Sequence, residues 1–232
     1  AAIAVVLFIL TLIGTLRPAA LTVNSSSNYF FGGSGVLADP PASPLALQKS
    51  GVGMLTLANT NTFTAGTVIS SGVLRVGAGA TSGSIGSGGA TVAPGGTLMF
   101  HRSDSGAAPL SFANALLGSG TIVFMGVTQA NSSVYQPAGS NAFSGTIRIS
   151  AARFQPTNAL GINSANIEVV AGSGLLDGGQ LQISSTFTQA VTIAGIGFMD
   201  SVTNHGALRL RNSAVSSGPI TMTNNARIGA FD

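Results

Sequence analysis

The chain has 232 residues, of which 45% are hydrophobic, 32 are glycine and only 6% are charged, with no cysteine and a formal net charge of +3. This composition excludes a disordered chain, which is rich in charge, and the lack of cysteine excludes disulfide bonds, thiolate metal sites and a cysteine nucleophile. The nine basic residues are dispersed rather than clustered against phosphates, so we expect no nucleic-acid binding.

Residues 1–16 are almost entirely apolar and are followed by Arg17, Pro18 and the small residues Ala19 and Ala20. An apolar run of this length before small residues is typical of a signal peptide or a short membrane segment. Residues 5–10 also have high β propensity, which indicates buried strands as the alternative. We expect residues 1–20 to be one of these. Because the chain starts at Ala1 without Met or a preceding basic region, we also expect it to be part of a longer protein.

Residues 21–44 carry turn-forming and strand-breaking residues on both sides of an aromatic cluster. Serines occupy positions 25–27, Asp39 precedes two prolines, and the aromatic residues fall at 29–31. This mixture predicts a linker or a capping element between the apolar start and a repetitive region at 45–232.

Short apolar-polar-apolar segments recur through the repetitive region, each bounded by Gly, Asn, Ser or Pro. Alternation with a period of two is typical of β-strands with one buried face, and many short strands predict an all-β solenoid. In the first two segments we expect Leu55, Leu57, Leu74 and Val76 to point inward, and Thr56 and Arg75 to point outward. The seven segments are Leu55-Thr56-Leu57, Leu74-Arg75-Val76, Ile147-Arg148-Ile149, Leu181-Gln182-Ile183, Val191-Thr192-Ile193, Leu208-Arg209-Leu210 and Ile220-Thr221-Met222.

Two long units repeat the same order of features. Gly51 and Gly53 precede an Asn61-x-Phe63 element, and Gly118 and Gly120 precede Asn141-x-Phe143. We expect Asn61 and Asn141 to be buried at corners, where an amide both donates and accepts along the stack, and the two phenylalanines to be core anchors.

The second unit has about 13 extra residues between these elements, within 126–139. Solenoids accommodate insertions as loops at their corners, so we expect this stretch to leave the stack. Its uncharged polar groups and its tyrosine suit contact with glycans or proteins. The candidate surface contact loop consists of Gln129, Asn131, Tyr135 and Gln136.

Residues 55–77 read L-T-L-A-N-T-N-T-F-T-A-G-T-V-I-S-S-G-V-L-R-V-G and resemble, without a gap, the autotransporter-associated β-strand repeat, L-T-L-x-x-x-N-T-Y-T-G-G-T-x-I-x-x-G-x-L-x-L-G. The departures include Phe63 for Tyr and Ala65 for the first Gly of the pair, and Ala65 is unfavourable if that position needs a positive φ. The resemblance implies a right-handed parallel β-helix in the secreted passenger of a bacterial surface protein, and implies no activity.

The residues that could carry catalysis are few and dispersed along the chain. Enzymes built on parallel β-helices that cleave polysaccharides need clustered carboxylates, and a metal site needs three or four ligands. We therefore predict no catalytic, cofactor-binding or metal-binding residues, no cofactor and no enzymatic activity. The only histidines are His101 and His205, and the six carboxylates are Asp39, Asp104, Glu168, Asp177, Asp200 and Asp232.

From the sequence we expect a secreted scaffold or stalk, an adhesin-like passenger segment that presents its solenoid surface outside a bacterial cell to glycans or proteins. Contact with the outer membrane would come only through the N-terminal segment or a translocator domain outside this sequence. The alternative is a polysaccharide lyase or hydrolase on a parallel β-helix, which a pair of carboxylates on one solenoid face would distinguish.

Overall fold

The computed structural model describes residues 7–127, 133–138, 142–156, 165–172, 178–200 and 203–231. Within these ranges the chain forms β-strands and no helix, as its density of glycine and β-branched residues favours. The strands are β1 Leu7–Leu12, β2 Thr15–Leu16, β3 Leu21–Asn24, β4 Asn28–Gly33, β5 Val36–Leu37, β6 Ala46–Ser50, β7 Met54–Leu57, β8 Gly66–Val76, β9 Ala90–His101, β10 Leu110–Phe112, β11 Leu116–Gly118, β12 Thr121–Met125, β13 Val134–Pro137, β14 Ala142–Phe143, β15 Thr146–Ser150, β16 Arg153–Phe154, β17 Asn166–Val169, β18 Gln180–Ile183, β19 Val191–Ala194, β20 Met199–Asp200, β21 Thr203–Asn204, β22 Leu208–Arg211, β23 Ile220–Thr223 and β24 Ile228–Phe231.

The strands stack in parallel into a β-solenoid, as predicted. The first face has the order β1-β4-β7-β8-β9-β12-β15-β17-β19-β23, and the second face has the order β10-β13-β16-β18-β22-β24. The strands β8 and β9 are long enough to cross a corner, and their first halves pair with β6 and β11 on a third face. Each turn of the chain therefore contributes strands to successive faces around one continuous core.

The core of the first face is a ladder of aliphatic side chains in register. Leu74 lies between Leu55 and Leu98, and the ladder continues through Ile122 and Ile147, all fully buried. All seven predicted segments lie in strands, namely β7, β8, β15, β18, β19, β22 and β23. The inward orientation of Leu55, Leu57, Leu74 and Val76 is confirmed by their burial.

Of the two residues predicted to point outward, one is confirmed as exposed and the other is not. Arg75 is partly exposed, as expected, but Thr56 is only 2% exposed. The register places Thr56 between Phe30 and Arg75 on the outer side of the sheet. A short side chain between two long ones is covered by them, and a single-strand pattern does not contain that information.

Residues 7–44 also contribute strands to the stack. β1 pairs in parallel with β4, and β3 pairs with β6. Within residues 21–44, where we expected a linker or a capping element, β4 pairs with β1 on one side and with β7 on the other. β1 pairs with β4, and most of its residues are exposed while Leu12 is buried. None of the described residues forms a helix with the length and apolar character to cross a bilayer.

The stretch predicted to leave the stack as a loop contains a strand of the second face. β13 pairs with β10 on one side and with β16 on the other. The loop prediction is therefore wrong for the described residues 133–138, because Val134 and Tyr135 provide the buried side chains that a strand of this face needs.

Candidate contact surface

Of the four residues in the predicted contact loop, Gln129 and Asn131 lie outside the described residues. Tyr135 is fully buried and Gln136 is half-buried on β13. The prediction that Tyr135 lies exposed on a loop is wrong, because its ring packs 5.2 Å from that of Phe124 inside the stack.

The hydroxyl group of Tyr135 is satisfied by the backbone at the corner between the two faces. It donates a hydrogen bond to the carbonyl oxygen of Met125 at 2.6 Å and accepts one from the backbone N–H of Arg102 at 2.9 Å. Burial raises the pKa of this phenol well above its ordinary value of 10.0, so the group stays protonated and remains a donor. Tyr135 is therefore a structural residue that ties one turn of the solenoid to the next.

The same corner holds a buried ion pair between Arg102 and Asp104. Arg102 Nε donates to Asp104 Oδ2 at 2.7 Å, and Nη2 donates to Oδ1 at 2.8 Å, while Nη1 donates to the carbonyl oxygen of Gly83. The two charged side chains are almost fully buried. Two parallel hydrogen bonds fix both groups and compensate the charge of each.

A cleft of about 310 Å³ opens beside this pair, and we call it the Arg102 cleft. It lies between residues 83–87 and β10, the first strand of the second face. Ser111 and Phe112 line it from β10, and the amide of Asn114 donates to the carbonyl oxygens of Gly86 and Gly88 across the turn. The cleft therefore combines hydroxyl groups, an apolar side and a charge-compensated guanidinium.

A row of polar side chains, four of them uncharged, runs from this cleft along the outer side of the second face. Ser111 is paired with Gln136, whose Nε2 donates to Oε1 of Gln155 at 2.7 Å. Gln155 follows Phe154, the partner of Leu181, and therefore lies beside Gln182, which is paired with Arg209. We call these five residues the glutamine track: Ser111, Gln136, Gln155, Gln182 and Arg209.

Gln182 is the most enclosed member of the glutamine track. Its side chain is on the outer side of β18, yet the residue is only 8% exposed, and its Oε1 has no hydrogen-bond partner. Gln155 and Arg209 flank it in register, as Phe30 and Arg75 flank Thr56 on the first face. The track is thus a surface of closely packed side chains with an unsatisfied acceptor.

The carboxylates of the described side chains each have a structural partner. Asp39 accepts hydrogen bonds from the backbone N–H groups of Leu45 and Thr64, which lower its pKa. Glu168 lies 3.2 Å from Arg148 in an exposed pair. The side chains of Asp177, Asp200 and Asp232 lie outside the described part of the chain. Among the described residues no group of three or more potential metal ligands occurs.

The histidine on the first face does not meet a carboxylate partner in a catalytic arrangement. His101 ends β9, and its Nδ1 is buried without a hydrogen-bond partner. Burial and the nearby charge of Arg75 both lower its pKa, so the imidazole is neutral at physiological pH.

The predicted corner asparagine is confirmed at Asn61. Its Oδ1 accepts from the backbone N–H of Leu37 in the preceding turn, and its Nδ2 donates to the carbonyl oxygen of Ser84 in the following turn. Phe63 is fully buried beside it. Asn141 lies outside the described residues, but Phe143 is buried as a core anchor.

A comparison with protein families matches residues 47–76 to the passenger-associated-transport-repeat. These residues carry an autotransporter passenger repeat. The passenger repeat runs from β6 through the end of β8, so it contains the corner asparagine and the start of the aliphatic ladder. Ala65, at the position where the pattern has Gly, does not adopt a positive φ, whereas Gly66 does, with φ of 101°. A comparison with curated proteins and one with solved structures found no significant match.

The passenger repeat and the solenoid fit the scaffold of an autotransporter passenger. Sequence reasoning did not identify the glutamine track, because Gln136, Gln155 and Gln182 belong to three separate turns of the solenoid. It also missed the inward Lys49, whose Nζ donates to three backbone carbonyls. The one available signal for the track was the central Gln of Leu181-Gln182-Ile183.

Proposed function

We propose that this chain is a section of a secreted, adhesin-like stalk that presents its solenoid faces and corners outside a bacterial cell, where they contact glycans or proteins. Two observations support this proposal. The strands of the first face pair in parallel from β1 to β23, and residues 47–76 match the passenger repeat. In such a stack each turn contacts only its neighbours, so its outward-facing residues can be substituted without changing the packing of the core.

The partners of the described carboxylates support a display role over polysaccharide cleavage. Cleavage needs two carboxyl groups that are available to the substrate. Asp104 is fully occupied by Arg102, and Asp39 accepts three hydrogen bonds from Leu45 and Thr64. These side chains hold the turns together.

Surface display can be tested by inserting an epitope at the exposed turn formed by Gly106 and Ala107, in the protein as its own cells produce it. We expect antibody binding and protease cleavage at the epitope on intact cells. A soluble marker protein from inside the cells serves as the control for lysis. An epitope that becomes accessible only after lysis would contradict the proposal.

The absence of activity is a separate test of the proposal. The purified chain is incubated with neutral and acidic polysaccharides, and new reducing ends and unsaturated products are measured. We expect no release above a heat-treated sample. Release that is abolished by D104N would favour the lyase or hydrolase instead.

A further inference from the structure

The glutamine track has a repeat that comes from the backbone. Its members occupy equivalent positions on consecutive strands of the second face, so the four steps from Ser111 to Arg209 cover about 19 Å at the ordinary strand spacing. Three consecutive members, Gln136, Gln155 and Gln182, each present a primary amide, which offers both donors and an acceptor. A ligand that fits this surface repeats its own polar groups at nearly the same interval.

The Arg102 cleft lies at one end of the glutamine track, and Ser111 belongs to both. Its volume of about 310 Å³ is within the range of small-ligand sites. Leu110 and Phe112 provide an apolar wall, and the ring of Phe112 is itself stacked on that of Phe100 in the core. The cleft is therefore suited to one sugar ring at the end of a longer chain.

The charges of the two regions select against an anionic ligand. The guanidinium of Arg102 has both oxygens of Asp104 as partners, so the cleft carries no uncompensated charge. In the glutamine track only Arg209 is charged, and the other four residues are neutral. Phosphate or sulfate recognition uses several cations at once, which this surface does not provide.

We propose that the glutamine track and the Arg102 cleft bind an extended, uncharged glycan, with about one sugar per strand and the terminal sugar in the cleft. A hydroxyl group of the glycan donates to Oε1 of Gln182, which has no partner in the described structure. Gln155 and Arg209 flank Gln182 in register, and both are long side chains that change rotamer without moving the backbone. This binding specifies the partner of the proposed display function and rests on that function for access to glycans.

The test is titration calorimetry of the full 232-residue chain with neutral oligomers of glucose, mannose, galactose and N-acetylglucosamine, two to six units long. We expect at least one neutral series to bind with an affinity that rises with length to about five units, the number of residues in the track. Oligogalacturonates of the same lengths are the anionic arm and should bind more weakly. No binding by any neutral series, or tighter binding of the anionic series, would overturn the proposal.

The variants locate the site on the second face. We expect Q182E to weaken binding of neutral oligomers about tenfold, because the carboxylate no longer offers the donors of an amide. Q155A removes the neighbouring amide of the glutamine track and should also weaken binding, so it tests the site if Q182E does not fold. The matched control is Q48E, an exposed glutamine on β6, which should bind like the unmodified chain. Equal affinities for Q182E, Q155A and Q48E would place binding elsewhere and overturn the proposal.

The outcomes separate this proposal from the display function. Binding by the purified chain without an accessible epitope on intact cells contradicts display alone. An accessible epitope without binding by any neutral series contradicts the glycan site alone.

Discussion

The segments Leu74-Arg75-Val76 and Ile220-Thr221-Met222 have the same apolar-polar-apolar pattern and the same first-face position, but opposite burial. Leu74 is fully buried between Leu55 and Leu98. Ile220 and Met222 are 36% and 52% exposed, because β23 pairs with β19 on one side and no further described strand lies on the other. Burial in a solenoid therefore depends on a neighbouring strand on both sides.

The same contrast holds for charged groups. The Arg102–Asp104 pair is enclosed at a corner between two faces, whereas Arg148 and Glu168 form an exposed pair on the outer side of one face. We expect the enclosed pair to contribute more to the unfolding free energy than the exposed pair.

The largest effect is expected for D104A. Removal of one partner leaves the Arg102 guanidinium buried without its carboxylate, which costs about 3–5 kcal/mol of unfolding free energy. E168A removes an exposed pair and should cost about 0–1 kcal/mol. Chemical denaturation followed by circular dichroism measures both. Equal costs would contradict the enclosure argument for charges.

A second contrast is L74A against M222A. Leu74→Ala leaves a cavity in the aliphatic ladder and should cost about 2–5 kcal/mol, whereas Met222→Ala should cost less than about 0.5 kcal/mol because its side chain is exposed. The two costs are compared from the denaturation midpoints, provided that the dependence of the unfolding free energy on denaturant concentration is the same in both variants. A cost for M222A as large as that for L74A would show that another surface covers β23.

N61A tests the corner inside the passenger repeat. The change leaves the backbone N–H of Leu37 and the carbonyl oxygen of Ser84 without their amide partner, which should cost about 1–3 kcal/mol. N24A, at an exposed position of β3, is the control and should have little effect. Similar denaturation midpoints for the two variants would remove the structural role assigned to Asn61.

The smallest effect concerns the pH dependence due to Lys49, the only lysine of the chain. Its Nζ is buried, and burial lowers its pKa below the ordinary value of 10.5. Between the folded and unfolded pKa values the unfolded chain binds more protons, so this group makes the unfolding free energy rise with pH up to about 10.5. Three backbone carbonyls compensate the charge and keep the effect small.

The measurement compares the unmodified chain with K49M between pH 8 and 10.5. The difference in unfolding free energy between them should increase with pH in favour of the unmodified chain, since all other titrating groups are shared. A constant difference would mean that the pKa of Lys49 is the same in the folded and unfolded states.

The local sequence was sufficient to predict the strands and the side of each strand that faces the core. Leu55, Leu57, Leu74 and Val76 were predicted correctly because alternation with a period of two is a property of one strand. Asn61 was also predictable, since an asparagine that recurs at matching positions indicates a corner.

Predictions about the outer side were less accurate for a physical reason. Thr56 and Gln182 are buried by side chains from neighbouring turns that are about 20 to 30 residues away in the sequence. Tyr135 was predicted to lie in a loop because most of its sequence neighbours are polar. In the structure it is in a strand, and it pairs with Leu110 of the preceding turn and with Phe154 of the following turn.

The sequence by itself determined the all-β class, the stacked strands, the aliphatic core and the passenger repeat, because these follow from residue types within a short window. The tertiary structure alone decided which exposed-looking residues are enclosed, that Arg102 meets Asp104 at a corner with Tyr135, and that three glutamines form a track. Those features depend on the register between turns, which sets the neighbours of each side chain and is fixed only when the strands pair.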